Sequence, residues 1–64
     1  MKGKVKRVVL AKGFGFILGT DNVEYFFHKS AVKNGHFEDV YEGQEVEFEE
    51  SDGAKGPRAE DVYL

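Results

Sequence analysis

The stretch Lys12-Gly13-Phe14-Gly15-Phe16-Ile17 decides how this chain folds. Side chains of a β-strand alternate between its two faces, so Lys12, Phe14 and Phe16 are predicted to share one face. The two glycines and Ile17 are predicted to share the other face, where small residues leave room for a tightly curved sheet. Two phenylalanines spaced by a glycine therefore predict a flat aromatic surface on one side of a curved strand.

The next strand-length stretch, residues 23–28, carries aromatic rings on both of its predicted faces. Alternation places Phe26 and His28 with Glu24 on one face and Tyr25 with Phe27 on the other. A small barrel has only one interior, so one of these sets is predicted to stay outside it. Stacking on nucleic-acid bases is a physical reason to keep rings exposed. The predicted outer rings are Phe14, Phe16, Phe26 and His28.

Three further stretches have the length and patterning of strands, and the whole chain is predicted to be all-β. They are residues 2–10, residues 44–50, where Val46 and Phe48 alternate with glutamates, and residues 58–63. A short 3₁₀ turn is predicted over residues 30–32. Five short strands in 64 residues favour one closed or nearly closed barrel, because closure removes exposed sheet edges. The turn signals between the strands are Gly19-Thr20-Asp21-Asn22, Asn34-Gly35, Gly43, Asp52-Gly53 and Gly56-Pro57.

The composition argues against a metal centre and against catalysis. The chain has no cysteine, and its two histidines, His28 and His36, belong to separate predicted elements. Ser30 lies near His28 in the sequence, but a nucleophile needs both a positioned base and a group that orients that base. We therefore expect no enzyme activity, no metal, no cofactor and no small-molecule substrate.

The charges are distributed unevenly along the chain. The formal net charge is −3, yet residues 1–35 carry a net +5 and residues 36–64 a net −8. An acidic protein with this distribution can still present one basic face to phosphates. The stripe of Glu45, Glu47, Glu49 and Glu50 is interpreted as a solvated strand face. No apolar stretch approaches the roughly 20 residues of a membrane helix, and we expect a cytoplasmic monomer of one domain, residues 1–64.

Six segments, in order and across essentially the whole chain, resemble the bacterial cold-shock proteins and cold-shock domains. They are Gly3-Lys4-Val5-Lys6, Lys12-Gly13-Phe14-Gly15-Phe16-Ile17, Phe26-Phe27-His28, Ser30-Ala31, residues 42–48 and Gly56-Pro57-Arg58-Ala59. The resemblance implies a five-stranded antiparallel barrel of the oligonucleotide/oligosaccharide-binding (OB) type. It also implies binding of single-stranded RNA or DNA, in the role of an RNA chaperone or a regulator of transcription or translation. The implied binding positions are Lys6, Lys12, Phe14, Phe16, Phe26, His28, Phe37 and Lys55.

The chain departs from the family pattern at two places on this predicted site. Arg7-Val8-Val9 stands where the family usually has Trp-Phe-Asn, and Lys29 stands where it usually has an aromatic residue. A guanidinium plane can still stack on a base, whereas Lys29 offers only charge. Arg7 and Lys29 therefore join the predicted binding set. Strict alternation would bury Arg7 beside Val5, so we predict a bend or bulge at Arg7.

Other functions for the same barrel remain open at this stage. The chain could be a protein-interaction module whose nucleic-acid site is weakened, and Arg7 could pair with Glu24 or Asp61 instead of reaching a ligand. An oligosaccharide-binding barrel is a third possibility, although a neutral sugar does not need the flanking lysines. Salt-dependent binding of a pyrimidine-rich oligonucleotide discriminates between the nucleic-acid and protein-partner hypotheses.

Overall fold

A computed structural model describes residues 1–53 and 56–64, and five β-strands occupy most of them. Between the strands lie three 3₁₀ turns, at Leu10–Lys12, Lys29–Ala31 and Phe37–Asp39. The described residues contain no α-helix, and so no helix there could span a membrane. The strands are β1 (Lys2–Val9), β2 (Phe14–Gly19), β3 (Glu24–His28), β4 (Glu45–Gly53) and β5 (Gly56–Tyr63).

The strands close into a barrel in the order β1-β2-β3-β5-β4, which confirms the predicted all-β barrel of the OB type. Four neighbouring pairs are antiparallel, and the closing pair, β3 with β5, is parallel through the bridge Phe26↔Arg58. A ring with an odd number of strands cannot alternate in direction all the way round. One parallel pair is therefore a geometric necessity of five-stranded closure, and the expected antiparallel arrangement holds for the other four pairs.

The core lies inside the barrel and is built from the inward positions of all five strands. Ile17, Phe27, Ala59 and Val62 are fully buried, and the alternating Val46 and Phe48 point inward as predicted. The buried hydrophobic side chains among the described residues are Val5, Ile17, Tyr25, Phe27, Phe37, Val40, Val46, Phe48, Ala59 and Val62. The intervening Glu45, Glu47, Glu49 and Glu50 are exposed, as expected for a solvated face.

The predicted irregularity in the first strand is confirmed as a shift of register between Val5 and Arg7. Val5 pairs with Ile17 and points into the core, whereas Arg7 pairs with Phe16 and is exposed. The bulge inserts one residue into β1, so that Lys6 and Arg7 are both exposed although they are consecutive. The bulge thus places two adjacent cations on the outside without burying a guanidinium.

Two glycines explain the sharp geometry around the second strand. A Cβ on Gly15 would lie 2.6 Å from the Arg7 carbonyl oxygen and 2.8 Å from the Phe27 ring, so only glycine fits there. Gly13 has φ +71° and ends the turn Leu10–Lys12 in the left-handed conformation. Lys12 therefore belongs to a 3₁₀ turn, and the prediction that it shares a strand face with Phe14 and Phe16 is wrong.

The loop predicted near residue 55 is shorter than the sequence suggested. Asp52 pairs with Pro57 and Gly53 pairs with Gly56, so both predicted turn dipeptides are ends of paired strands. Near residue 34 the predicted turn is stabilised by a distant segment, because the Asn34 side chain accepts from the Leu64 backbone N–H at 2.7 Å. The pairing of β4 with β5 and the Asn34–Leu64 hydrogen bond thus hold residues that local turn propensity assigned to loops.

Candidate nucleic-acid interface

Three phenylalanine rings meet on the outer face of the β2–β3 hairpin. The register pairs Phe14 with His28 and Phe16 with Phe26, and directly paired residues project from the same face of a sheet. The Phe14 and Phe26 ring centroids lie 5.5 Å apart, and Phe16 lies 6.0 Å from Phe14 and 5.9 Å from Phe26. All four side chains are partly exposed. We call Phe14, Phe16, Phe26 and His28 the aromatic platform.

Two arginines extend the platform in a row that crosses four strands. Arg7 pairs with Phe16, Phe16 with Phe26, and Phe26 with Arg58. The Arg58 guanidinium carbon lies 5.9 Å from the Phe26 ring centroid, within the range of a cation–π contact. Adjacent strands are about 4.8 Å apart, so each side chain of the row has the next one beside it. The platform is thus flanked by a cation at each end.

Arg58 was missed as a site residue, although the sequence contains a signal for it. The segment Gly56-Pro57-Arg58-Ala59 contributed to the family resemblance, and Ala59 is fully buried. A buried Ala59 requires its neighbour Arg58 to point outward by strand alternation. Only the closing contact between β3 and β5 reveals that this outward direction leads to Phe26.

The second row of the platform ends on His28. Val9 pairs with Phe14, and Phe14 pairs with His28, so an aliphatic side chain, a phenyl ring and an imidazole share one face. The His28 Nδ1 accepts from the Ser30 backbone N–H at 3.2 Å and lies 2.9 Å from the Ser30 Oγ. His28 thus caps the 3₁₀ turn Lys29–Ala31, and the contact with Ser30 fixes the orientation of its imidazole.

The predicted cations differ in what they contact. Lys6 donates to Glu24 across the β-sheet, with Nζ 2.8 Å from Oε2. Among residues 1–53 and 56–64, no carboxylate lies within 4.0 Å of the charged nitrogens of Arg7, Lys12 or Lys29. Glu24 and Asp61, the partners considered for Arg7, pair instead with Lys6 and with Lys33, the latter at 3.5 Å.

Lys29 directly follows His28, the last residue of β3, and lies beside Gly13, which precedes β2. Its backbone N–H donates to the Gly13 carbonyl at 2.9 Å, which ties the end of the β2–β3 hairpin together. Its Cδ lies 3.0 Å from the position that a Cβ on Gly13 would take. The aliphatic stem of Lys29 therefore packs on the glycine, while the residue as a whole is exposed.

One predicted binding position is not brought to the platform. Phe37 is 7% exposed, and its ring packs against Phe27 in the core, with centroids 5.8 Å apart. Its inward orientation comes from the 3₁₀ turn Phe37–Asp39, which the sequence analysis did not predict. Lys55 lies outside the described residues.

A separate polar cluster lies where the β2–β3 turn meets β4. The Tyr25 hydroxyl lies within hydrogen-bond distance of carboxylate oxygens of Asp21 and, at 2.9 Å, of Glu50. The hydrogen bond from Tyr25 lowers the pKa of Asp21 below its ordinary value of 3.8. The same Asp21 hydrogen bond, followed by desolvation and the Glu50 contact, raises the pKa of Tyr25. The cluster connects the turn to the barrel wall.

The arrangement is suited to binding by ring contact and charge. Within the described part of the chain, no three His, Cys, Asp or Glu side chains are grouped as a metal site requires. Partly exposed rings offer flat apolar area, and the surrounding cations offer charge to an anion. A ligand with flat rings and regularly spaced negative charges would satisfy both features.

Comparison with known proteins identifies the family. All 64 residues match the model of the 'Cold-shock' DNA-binding domain. The chain is 45% identical over 62 residues to the cold shock-like protein CspC of Bacillus cereus, covering 97% of this chain and 95% of that relative. It is 48% identical over 63 residues to the cold shock-like protein CspE of Escherichia coli strain K12, covering 97% and 91%. The chain therefore belongs to the cold-shock domain family of nucleic-acid-binding proteins.

Proposed function

We propose that this protein binds single-stranded RNA or DNA by stacking bases on the aromatic platform while cations around it contact the phosphate backbone. The observation that carries the proposal is the cluster of Phe14, Phe16 and Phe26, which lies outside a core that already contains Tyr25 and Phe27. Exposed rings gain little from folding, and stacking on bases is worth about 1–3 kcal/mol per base.

The cations give the proposed site its second source of affinity. Arg7 and Arg58 flank the row of rings. Three exposed lysines lie next to this site in the chain, namely Lys6, Lys12 and Lys29. Contacts from such cations to phosphates release condensed counterions, so binding should weaken as salt rises. Lys55, which the family resemblance implies as a contact, completes the proposed binding set, and the buried Phe37 is not part of it.

Single strands should be preferred over duplexes, because base pairing hides ring faces inside the stack. The test is fluorescence anisotropy with a labelled pyrimidine-rich oligonucleotide and a hairpin stem of the same length, each at several salt concentrations. We expect tight, salt-dependent binding of the unstructured strand and weak binding of the stem. Equal affinities would contradict the stacking mode. Absence of oligonucleotide binding at low salt would favour the protein-interaction hypothesis instead.

The proposal also covers the oligomeric state, the location and the cellular role of the protein. The protein is expected to act as a monomer in the cytoplasm, without catalysis, as a chaperone of RNA or a regulator of transcription or translation. A platform of three phenyl rings and one imidazole reads ring faces, which every base has, and is therefore expected to tolerate many sequences. Analytical ultracentrifugation of the protein with and without an oligonucleotide measures whether the protein is a monomer and whether one copy binds each oligonucleotide.

A further inference from the structure

An acidic side chain, Glu24, lies beside the aromatic platform along β3, and it forms an ion pair with the predicted binding residue Lys6. Glu24 occupies the position two residues before Phe26, on the same face of β3, and both it and Lys6 are about half exposed. The Lys6 Nζ lies 2.8 Å from Glu24 Oε2, the shortest ion pair among the described residues. One of the cations available to the proposed ligand is thus already occupied.

Strand alternation explains why this pair forms. Because Val5 points into the core, Lys6 points outward, and its long side chain crosses β2 to reach the first residue of β3. Leu18, which pairs with Glu24 and with Lys4, lies between the two strands and carries no charge. Among residues 1–53 and 56–64, Glu24 is the one carboxylate within 4.0 Å of the Lys6 ammonium.

We propose that Glu24 limits the affinity of the site by holding Lys6 in an ion pair that competes with the phosphate backbone. This inference rests on the proposed function. A phosphate that approaches the Lys6 ammonium must displace the carboxylate or lie beside it, and two anions on one cation repel each other. The pair is solvent-exposed, so it competes with a phosphate without preventing binding altogether.

The barrel supplies a matched control for this ion pair. Lys2 and Glu47 also join β1 to a neighbouring strand, but they do so on the β4 side, with Nζ 4.0 Å from Oε1. Replacing Glu24 or Glu47 by glutamine is the same chemical change, and it alters the net charge by the same amount. Any difference between the two variants therefore reports position and not total charge.

The experiment measures affinity for a pyrimidine-rich single strand against salt concentration for the wild type, Glu24→Gln and Glu47→Gln. We expect Glu24→Gln to tighten binding at low salt about three- to tenfold and to steepen log affinity against log salt by up to about 0.7, the value for one phosphate contact on a single strand. Glu47→Gln should change affinity less than about twofold, because screening weakens charges about 10 Å or more away.

A double-mutant cycle tests whether Glu24 acts through Lys6. Lys6→Gln should weaken the wild type only slightly but should remove the whole gain in the Glu24→Gln background. A gain that survives Lys6→Gln means that Glu24 repels the strand directly, and equal gains in Glu24→Gln and Glu47→Gln mean a net-charge effect; either result overturns the inference. Unchanged affinity in Glu24→Gln, with normal binding by the wild type, overturns it as well.

The same measurements distinguish this failure from a failure of the proposed function. If the wild type and every variant fail to bind a single strand at low salt, the proposed function is wrong and the inference falls with it. If all of them bind and their lines coincide, only the inference is wrong. Circular dichroism of each variant verifies that the glutamine substitutions leave the barrel folded, as expected for exposed side chains.

Discussion

The two faces of the β2–β3 hairpin carry similar rings in opposite environments. On the inner face, Tyr25 and Phe27 are 4% and 0% exposed, and they contact Phe48 and Phe37 respectively. On the outer face, Phe14 and Phe26 are only partly buried, and their neighbours are one another, Phe16 and the Arg58 guanidinium. Residue type is therefore not what separates a core ring from a platform ring on this hairpin.

Alternation along the strand assigns each ring either to the core or to the platform. Phe26 and Phe27 are consecutive, so strand alternation alone sends one outward and the other inward. The inner ring fills space next to Gly15, where even a methyl group does not fit. The outer ring keeps one side open to solvent. Stability should consequently depend on the inner rings, and binding should depend on the outer rings. Substitutions on one face or the other can therefore separate effects on stability from effects on binding.

The largest effect is expected from the inner face. Phe27→Ala should lower the free energy of unfolding by about 3–5 kcal/mol, because it leaves a cavity among tightly packed side chains. Urea denaturation followed by circular dichroism measures this loss. Since a domain of this size has little stability to spare, Phe27→Leu provides a milder variant that should stay folded. A loss below about 1 kcal/mol for Phe27→Ala would contradict its place in the core.

Substitutions on the outer face should affect binding more than stability. Phe14→Ala and Phe26→Ala are each expected to weaken single-strand affinity by about 1–3 kcal/mol while the barrel stays folded. Fluorescence anisotropy measures the affinity, and urea denaturation of the same samples measures the stability. If either variant unfolds without a selective loss of binding, the assignment of that ring to the outer face is inverted.

A smaller effect on binding is expected at the positions where Arg7 and Lys29 replace the aromatic residues usual in the family. Arg7→Trp combined with Lys29→Phe should tighten binding at high salt and flatten the salt dependence, because each lost phosphate contact removes about 0.7 from the slope. Arg7 pairs with Phe16, so the new ring would extend the existing row. Affinities of the wild type and the double variant at four or more salt concentrations give both slopes. If the plots of log affinity against log salt coincide for the wild type and the double variant, these two positions lie outside the site.

The smallest effect is expected at the polar cluster, away from both aromatic sets. Because the pKa of Asp21 is below 3.8 in the folded protein, its contribution to stability is present above that pH and is lost as the pH falls through the lowered pKa. Tyr25→Phe removes the hydrogen bond that causes the shift. The variant should therefore lose stability less steeply on acidification than the wild type does.

Urea midpoints measured between about pH 5 and pH 2 test this expectation. Asp21→Asn is the matched variant, because it removes the titrating group itself and should flatten the same part of the curve. Identical pH profiles for the wild type and Tyr25→Phe would show that the hydroxyl does not stabilise the Asp21 carboxylate. Binding is expected to be unchanged in Tyr25→Phe, since neither Tyr25 nor Asp21 contributes to the platform.

Local sequence rules were sufficient to predict the features that depend on neighbouring residues. Period-two alternation predicted which rings of residues 14–16 and 24–28 share a face, and the length and turn signals predicted a small five-stranded barrel. The bulge was also predictable, because the cost of burying an unpaired Arg7 outweighs the preference for a regular ladder. These predictions succeeded because each one rests on a local rule that the final fold did not override.

The contacts that join distant segments depend on how the barrel closes, and no local rule predicted them. The row Arg7–Phe16–Phe26–Arg58 and the Lys6–Glu24 pair depend on register and on which strands become neighbours when the barrel closes. The contact between the Phe37 and Phe27 rings likewise joins two separate segments. Alternation fixes which face a side chain occupies but not which remote residue lies beside it. Here that choice is made by closing an odd number of strands, which forces the parallel contact that brings Arg58 to Phe26.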